Sequence, residues 1–157
     1  MARPRARSGA DVQIHELVAY RLNALTNTIL RSASRQYAAG VRMSPPEAWV
    51  LGAIGHFQPI TAREVAERMS IDEAQVSRAI KSLLARGFVK RRPAADDNRR
   101  KILTLSPAGR RACERAMQLA GRRQEDLLDG FKASEVDRLV SMLIHLRGNA
   151  QRMLGDE

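Results

Sequence analysis

The chain has 157 residues, 27 Lys and Arg against 17 Asp and Glu, a formal net charge of +10 and one cysteine. That length suits one domain with a sizeable core, and the positive excess favours a polyanionic partner. A single thiol excludes an intramolecular disulfide framework and suits a reducing cytoplasm, and 4% aromatic content argues against a base-stacking single-strand binder.

Residues 1–10 read as a disordered basic arm carrying Arg3, Arg5 and Arg7. They lack the apolar stretch of a secretory signal. No apolar run approaches the ~20 residues that span a bilayer, so the expectation is a cytoplasmic protein with no membrane partner. Residues 11–157 read as a single domain. A long amphipathic helix is expected over 12–39, with Ile14, Val18, Leu22, Leu25, Ile29, Ala33 and Tyr37 at three-to-four spacing. Gly40 is expected to close it. Ser44-Pro45-Pro46-Glu47 then opens a second helix, with Ser44 as N-cap, Pro45 at the first helical position and Glu47 completing a capping box. Trp49, Val50, Leu51, Ile54 and Phe57 are its apolar residues. Thr61 and Glu64 form a second capping box, for a third helix ending near Met69. A fourth helix runs over 72–86. Gly87 follows as a left-handed stop, and Phe88 packs back onto the helix. Residues 88–92 and 101–105 read as strands around a polar loop, a hairpin with a charged tip. Ser106-Pro107 starts a fifth helix, reaching about Gly130. Ser134 with Asp137 starts a sixth, whose stripe is Val136, Leu139, Val140, Leu143, Leu146, Ala150 and Met153.

Three short helices followed by a hairpin make a winged helix-turn-helix, over about 44–105. The fold is therefore mainly α with a small β-hairpin wing, an α+β class. In such a motif the second of two helices joined by a tight turn enters the major groove of DNA. Here a turn of about three residues around Ser70-Ile71 joins the third and fourth helices. Val76, Ala79, Ile80, Leu83 and Leu84 form the buried face of the fourth. Ala74, Gln75, Arg78, Lys81 and Ser82 lie opposite, with Ser77 at the margin. Arg78 can grip guanine with a bidentate fork, and Gln75 can pair with adenine. Two readings stand for Gln75, because it also occupies the capping-box position of a helix capped by Asp72. Ser77 and Lys81 suit phosphate contacts, and the small Ala74 permits close approach. At the hairpin tip Arg99 and Arg100 suit a narrow minor groove, with Asp97 pairing to Arg99 and holding it. Composition alone favours an ordinary solvated turn there.

These residues carry a resemblance. The run from Met43 through Trp49 to Leu51, then Thr61-Ala62-Arg63-Glu64-Val65-Ala66, then Val76-Ser77-Arg78-Ala79-Ile80-Lys81 with Arg86-Gly87-Phe88-Val89, resembles the MarR family. The most specific piece is Asp97-Asn98-Arg99-Arg100 followed by Leu103-Thr104-Leu105-Ser106 and Gly109, which is similar to that family's wing signature; Ser106 stands where Thr is usual. The resemblance implies a triangular homodimer in which the first, fifth and sixth helices interlock with a partner. It also implies repression, or less often activation, relieved by a small ligand or by oxidation. The residues support the dimer independently. Long apolar stripes over about 12–39 and 107–154 exceed what the small DNA-binding core can bury, and a twofold dimer would read a pseudo-palindrome.

Other features are less informative. The resemblance implies a ligand pocket between dimer helices and winged lobe, for which His15, Arg21, Met43 and Trp49 are candidates. Trp49 reads first as a core residue. Cys113 lies beside Arg110, Arg111 and Arg115, which can lower a thiol pKa. The family's redox sensors carry their cysteine near the N-terminus, so Cys113 reads as a small apolar residue, with an intersubunit disulfide as the alternative. His15, His56 and His145 show no metal spacing. No nucleophile elbow, phosphate-binding glycine loop or paired-cysteine motif is present. The expectation is a non-enzymatic repressor without cofactor or metal, binding double-stranded DNA as a homodimer and answering to a small molecule. The alternatives are an effector-independent or architectural DNA-binding protein and a winged-helix protein–protein adaptor.

Overall fold

A computed structural model describes residues 13–94, 97 and 99–155. The basic arm over 1–10, and Asp96 and Asn98 of the hairpin tip, lie outside the described residues. The chain divides into two compact units, Met1–Leu119 and Ala120–Glu157.

In the first unit a 3-10 turn, Ile14–Glu16, precedes helix α1, Val18–Val41. Leu17 between them is extended, at φ −68 and ψ 125, so the helix expected over 12–39 is divided there. Ile14 and Val18 keep helical spacing across the break, so periodicity does not register it. Gly40 does not close α1. The helix runs through it and stops at Arg42, which takes the left-handed conformation with φ 52. Gly40 serves packing instead, because a Cβ there would lie 2.7 Å from Leu119 Cδ1. Helix α2, Pro45–Phe57, starts on the expected reciprocal box of Ser44 and Glu47. Strand β1, Ile60–Thr61, leads into helix α3, Ala62–Met69, which Thr61 and Glu64 cap in the same way. Helix α4, Glu73–Ala85, follows. Strands β2, Val89–Pro93, and β3, Lys101–Leu105, form the hairpin, and helix α5, Pro107–Leu127, comes after it.

The core is assembled from apolar faces of five helices and the sheet. Tyr37 of α1, Val50, Leu51 and Ile54 of α2, Val65 of α3, Val76 and Leu83 of α4 and Leu103 of β3 are its largest fully buried side chains. Full burial of one such side chain contributes about 1.5–3 kcal/mol. Phe57 stays 39% exposed, with the Arg68 guanidinium 4.5 Å from its ring centroid. The α1 stripe splits: Ala33 and Tyr37 are buried, whereas Val18, Leu22 and Leu25 are exposed.

The sheet is antiparallel, in the order β1-β3-β2. Register pairs Val89 with Leu105, Arg91 with Leu103 and Pro93 with Lys101. Strand β1 was not expected, since two residues carry no periodicity. Just before it the Gln58 side chain accepts the backbone N–H of Leu105 (2.8 Å), prolonging the ladder. Ser106 joins hairpin and helix: its hydroxyl donates to the Gly87 carbonyl (2.7 Å) and accepts from the N–H of Gly109 (2.9 Å). A Cβ on Gly109 would overlap the Phe88 carbonyl, so glycine is required for the start of α5 to approach the wing.

The second unit holds the end of α5 and helix α6, Ala133–Gly155. Helix α5 ends at Leu127, short of the expected Gly130. The start of α6 is held by Glu135, whose Oε2 accepts the Lys132 N–H (2.8 Å), and not by Ser134 with Asp137. No residue of α6 is buried, and Leu139, Val140, Leu143 and Met153 are 38–75% exposed.

Candidate nucleic-acid interface

The pair α3–α4 is a helix-turn-helix. Helix α3 ends on Ser70, left-handed at φ 51, whose N–H bonds the Glu67 carbonyl, while Ile71 N–H bonds that of Ala66. Asp72 then caps α4 by accepting the Gln75 N–H at 3.0 Å. At the far end Gly87, at φ 67, allows Gly87 N–H to reach Leu84 and Phe88 N–H to reach Leu83. This two-bond stop fixes where α4 ends and the wing begins. Phe88 packs against the core beneath Arg86, whose guanidinium lies 4.7 Å from its ring centroid.

Helix α4 shows the two faces expected. Val76, Ala79, Ile80 and Leu83 are buried and Leu84 is half-buried, while Ala74, Ser77, Arg78 and Lys81 are exposed. Gln75 is half-buried. Its backbone takes the Asp72 cap, but its side chain does not return a bond to Asp72, so no capping box closes. Its amide instead lines a crevice with Arg78, beside Ser44, Pro46 and Glu47 of α2.

Ser82 departs from expectation. Its hydroxyl donates to Glu47 Oε1 at 2.5 Å, and Arg86 Nη1 lies 3.7 Å from the same oxygen. The other carboxylate oxygen accepts Ser44 N–H (2.6 Å) and Ser44 Oγ–H (2.8 Å). Burial pushes the Glu47 carboxyl up, but the bonds from Ser82 and Ser44 and the charge of Arg86 outweigh it, and its pKa is lowered. Ser82 thus fastens the recognition helix to α2. Glu47 is the residue that sequence reasoning missed. Its capping role is readable locally, but its partners Ser82 of α4 and Arg86 just after it are 35 and 39 positions away.

At the wing tip Asp97 Oδ1 accepts the backbone N–H of Arg99 at 2.8 Å, and the Asp97 carbonyl accepts the Arg100 N–H at 3.0 Å. Asp97 therefore holds Arg99 through the main chain and not by pairing with its guanidinium. Ala94 N–H to the Arg100 carbonyl (2.9 Å) closes the loop, and Arg99 and Arg100 are exposed. Bonds from the Thr61 backbone and hydroxyl hold the Glu64 carboxyl below its ordinary range, and Arg100 adds attraction to it. Arg100 thus stands within electrostatic reach of the first turn of α3.

The four candidate effector residues sit on different segments of the chain. His15 and Arg21 are exposed, Trp49 is half-buried on α2, and Met43 is a core residue, 3% exposed. Met43 follows the left-handed Arg42, which turns it inward. A cleft of about 400 Å³ does lie between α2 and α5, lined by Gly52, Gly55, His56, Cys113, Glu114 and Met117 among others. Cys113 Sγ lies 3.7 Å from the Leu51 carbonyl. Burial, and then Glu114, push its thiol pKa up, opposite to what its arginine neighbours suggested.

A model of the MarR family matches residues 43–100, from the start of α2 to the wing tip. The uncharacterised HTH-type transcriptional regulator YdgJ of Bacillus subtilis is 27% identical over 114 residues, 73% of this chain and 70% of that protein. The multiple antibiotic resistance protein MarR of Escherichia coli is 28% identical over 109 residues, 69% of this chain and 76% of that one. A MarR/EmrR-family regulator from Acinetobacter has the same fold, with a TM-score of 0.84 at 22% identity over 90% of this chain and 99% of that one. The fold is shared too by Staphylococcus aureus MepR, solved with DNA (TM-score 0.76, 16% identity, 85% and 98% coverage). Streptomyces coelicolor PcaV, solved with its natural ligand, also shares it (TM-score 0.75, 20% identity, 88% and 97% coverage). With a helix-turn-helix whose outer face is polar and cationic, an arginine-tipped wing and these relatives, the chain is similar over residues 43–100 to the MarR family of DNA-binding transcriptional regulators.

Proposed function

We propose that the protein is a repressor that binds a pseudo-palindromic operator as a homodimer and is released by a small molecule. One observation carries the reading: Ala74, Gln75, Ser77, Arg78 and Lys81 share the outer side of a helix whose opposite side is locked into the core. Arg78 and Gln75 read base edges, Ser77 and Lys81 hold phosphates, and Arg99 with Arg100 enters the adjacent minor groove. The dimer is supported by the apolar residues that one chain leaves uncovered, Val18, Leu22 and Leu25 on α1 and Leu139, Val140 and Leu143 on α6. A twofold dimer would place half-sites about one helical turn, or a multiple of it, apart. Release by a small molecule is supported by the α2–α5 cleft and by PcaV, which was solved with its natural ligand.

Selection from random duplexes with the purified protein tests the reading. The expected result is a twofold-symmetric motif bound much more tightly than its scrambled version at physiological salt. Equal, salt-sensitive binding to both would replace it with an architectural role.

A further inference from the structure

We propose that Gln58 is the positioning residue that ties the end of α2 to the foot of the wing, and that an occupant of the α2–α5 cleft reaches the wing by disturbing it. The proposal rests on the DNA-binding and small-molecule readings above and supplies a link between them.

Gln58 belongs to two elements at once. Its backbone caps the end of α2, with its N–H on the Ile54 carbonyl (2.9 Å). Its side chain continues the sheet. Strand β1 pairs Ile60 with Leu103 and Thr61 with Ile102, so the same antiparallel register carried two residues back sets position 58 opposite Leu105. There Gln58 Oε1 stands in for a strand carbonyl by accepting the Leu105 N–H (2.8 Å). The other end of the amide, Nε2, donates to the Gly55 carbonyl (3.3 Å). That carbonyl lies in the last turn of α2, and Pro59, four residues on, has no N–H to offer it. One orientation of the amide satisfies both partners, since a flipped amide would set donor against donor and acceptor against acceptor.

Leu105 is the last residue of β3, the central strand, and the hairpin that carries Arg99 and Arg100 rises from it. Ser106, next in the chain, already holds this foot to the Gly87 carbonyl and the Gly109 N–H. Gln58 is therefore not needed to keep the hairpin folded; it sets how the hairpin stands against α2. Gln58 and Leu105 also line the α2–α5 cleft, with Cys113 and Met117 on its α5 side. Leu105 and Met117 give the cleft apolar walls and Gln58 a hydrogen-bonding one, which suits a small apolar body bearing one hydrogen-bonding group. Such a group competes for the amide of Gln58, and each bond it takes is one withdrawn from Leu105 or Gly55.

The test uses the full chain and the selected operator, with DNA affinity and hydrogen exchange of the Leu105 amide measured side by side. Gln58→Ala should speed that exchange about 2–10-fold and weaken operator binding. In an Arg99→Ala background the same change should cost less affinity, because the wing tip it positions is already blunted. The single thiol supplies a probe for the cleft. Methyl methanethiosulfonate, taken to full labelling, places a thiomethyl group on Cys113 at the cleft wall. Labelling the wild type should speed Leu105 exchange and weaken operator binding, and labelling Gln58→Ala should add little to either. Additive losses of Gln58→Ala and Arg99→Ala would overturn the proposal, since Gln58 would then act on general stability and not through the wing. Equal effects of the label with and without the Gln58 amide would overturn it too. The label acts whether or not a natural effector exists, so its failure is distinct from failure of the small-molecule reading. A wild-type protein that does not bind the operator removes the DNA-binding reading itself, a result distinct from intact binding that ignores Gln58.

Discussion

Replacing Ser82 with alanine separates two roles for one hydroxyl. By position on the helix Ser82 belongs with Gln75 and Arg78, but its Oγ is 2.5 Å from Glu47 Oε1. A hydrogen bond to a charged group contributes about 1.5–3 kcal/mol. The Glu47 side chain is only 15% exposed, so water replaces the lost donor poorly, while Ser44 and Arg86 still hold the carboxylate. We expect a loss of about 2 kcal/mol, and for a chain of this length a melting temperature lower by about 4–8 °C. The loss should depend on pH. Because the folded-state pKa of Glu47 is lowered, its contribution is present above the ordinary carboxylate value, about pH 4, and vanishes as pH falls through the lower folded value. The gap between Ser82→Ala and wild type should therefore be constant near neutrality and shrink under acid. It should also shrink in a Glu47→Gln background, since glutamine keeps the cap but not the charge. Circular-dichroism melts of the four proteins, with DNA affinity measured below all the transitions, decide the matter. Unchanged melting with a large loss of operator affinity would refute the argument and return Ser82 to the DNA-reading face.

Arg78→Ala should cost about 1–3 kcal/mol on the selected operator and relax one base position; equal losses on all sequences would remove its base-reading role. Arg99→Ala should weaken binding while light scattering still reports the proposed dimer, because its backbone N–H, and not its guanidinium, holds the Asp97 turn; dissociation to monomers would give the guanidinium a structural task. Cys113 should react with a thiol reagent more slowly than glutathione at pH 7, since burial raises its pKa; faster reaction would make it a redox-responsive group.

What was legible in the sequence was local. The capping boxes of Ser44 with Glu47 and Thr61 with Glu64 lie within four residues, and each defines its helix start as expected. Gly87 is signalled by its place after an apolar periodic run, and it takes the left-handed conformation that ends α4. The apolar spacing of Val76, Ala79, Ile80 and Leu83 fixes which side of α4 is buried, and hence which side is free to meet DNA. Illegible features depend on elements far apart in sequence. Strand β1 exists because Ile60 and Thr61 meet Leu103 and Ile102, and no two-residue pattern announces that. Gly40 looks like a helix stop until Leu119 is seen beside it.

Ser82 shows why a helical wheel alone misassigns part of an interface. It lies four residues after Arg78 and seven after Gln75, so all three share a stripe. The wheel assumes that the stripe has one environment along its length, and here it has two. The stripe meets the first turn of α2, where Glu47 has one oxygen committed to its own helix start and the other directed at α4. A short hydroxyl beside that oxygen bonds to it, whereas the longer Arg78 remains exposed. The capping carboxylate thereby joins two tasks: it starts α2, and it fixes the position of the helix that carries the proposed base-reading residues. A substitution at Glu47 should therefore disturb DNA recognition without Glu47 touching DNA, and its effect should fall on sequence discrimination more than on the salt slope, because no phosphate contact is lost.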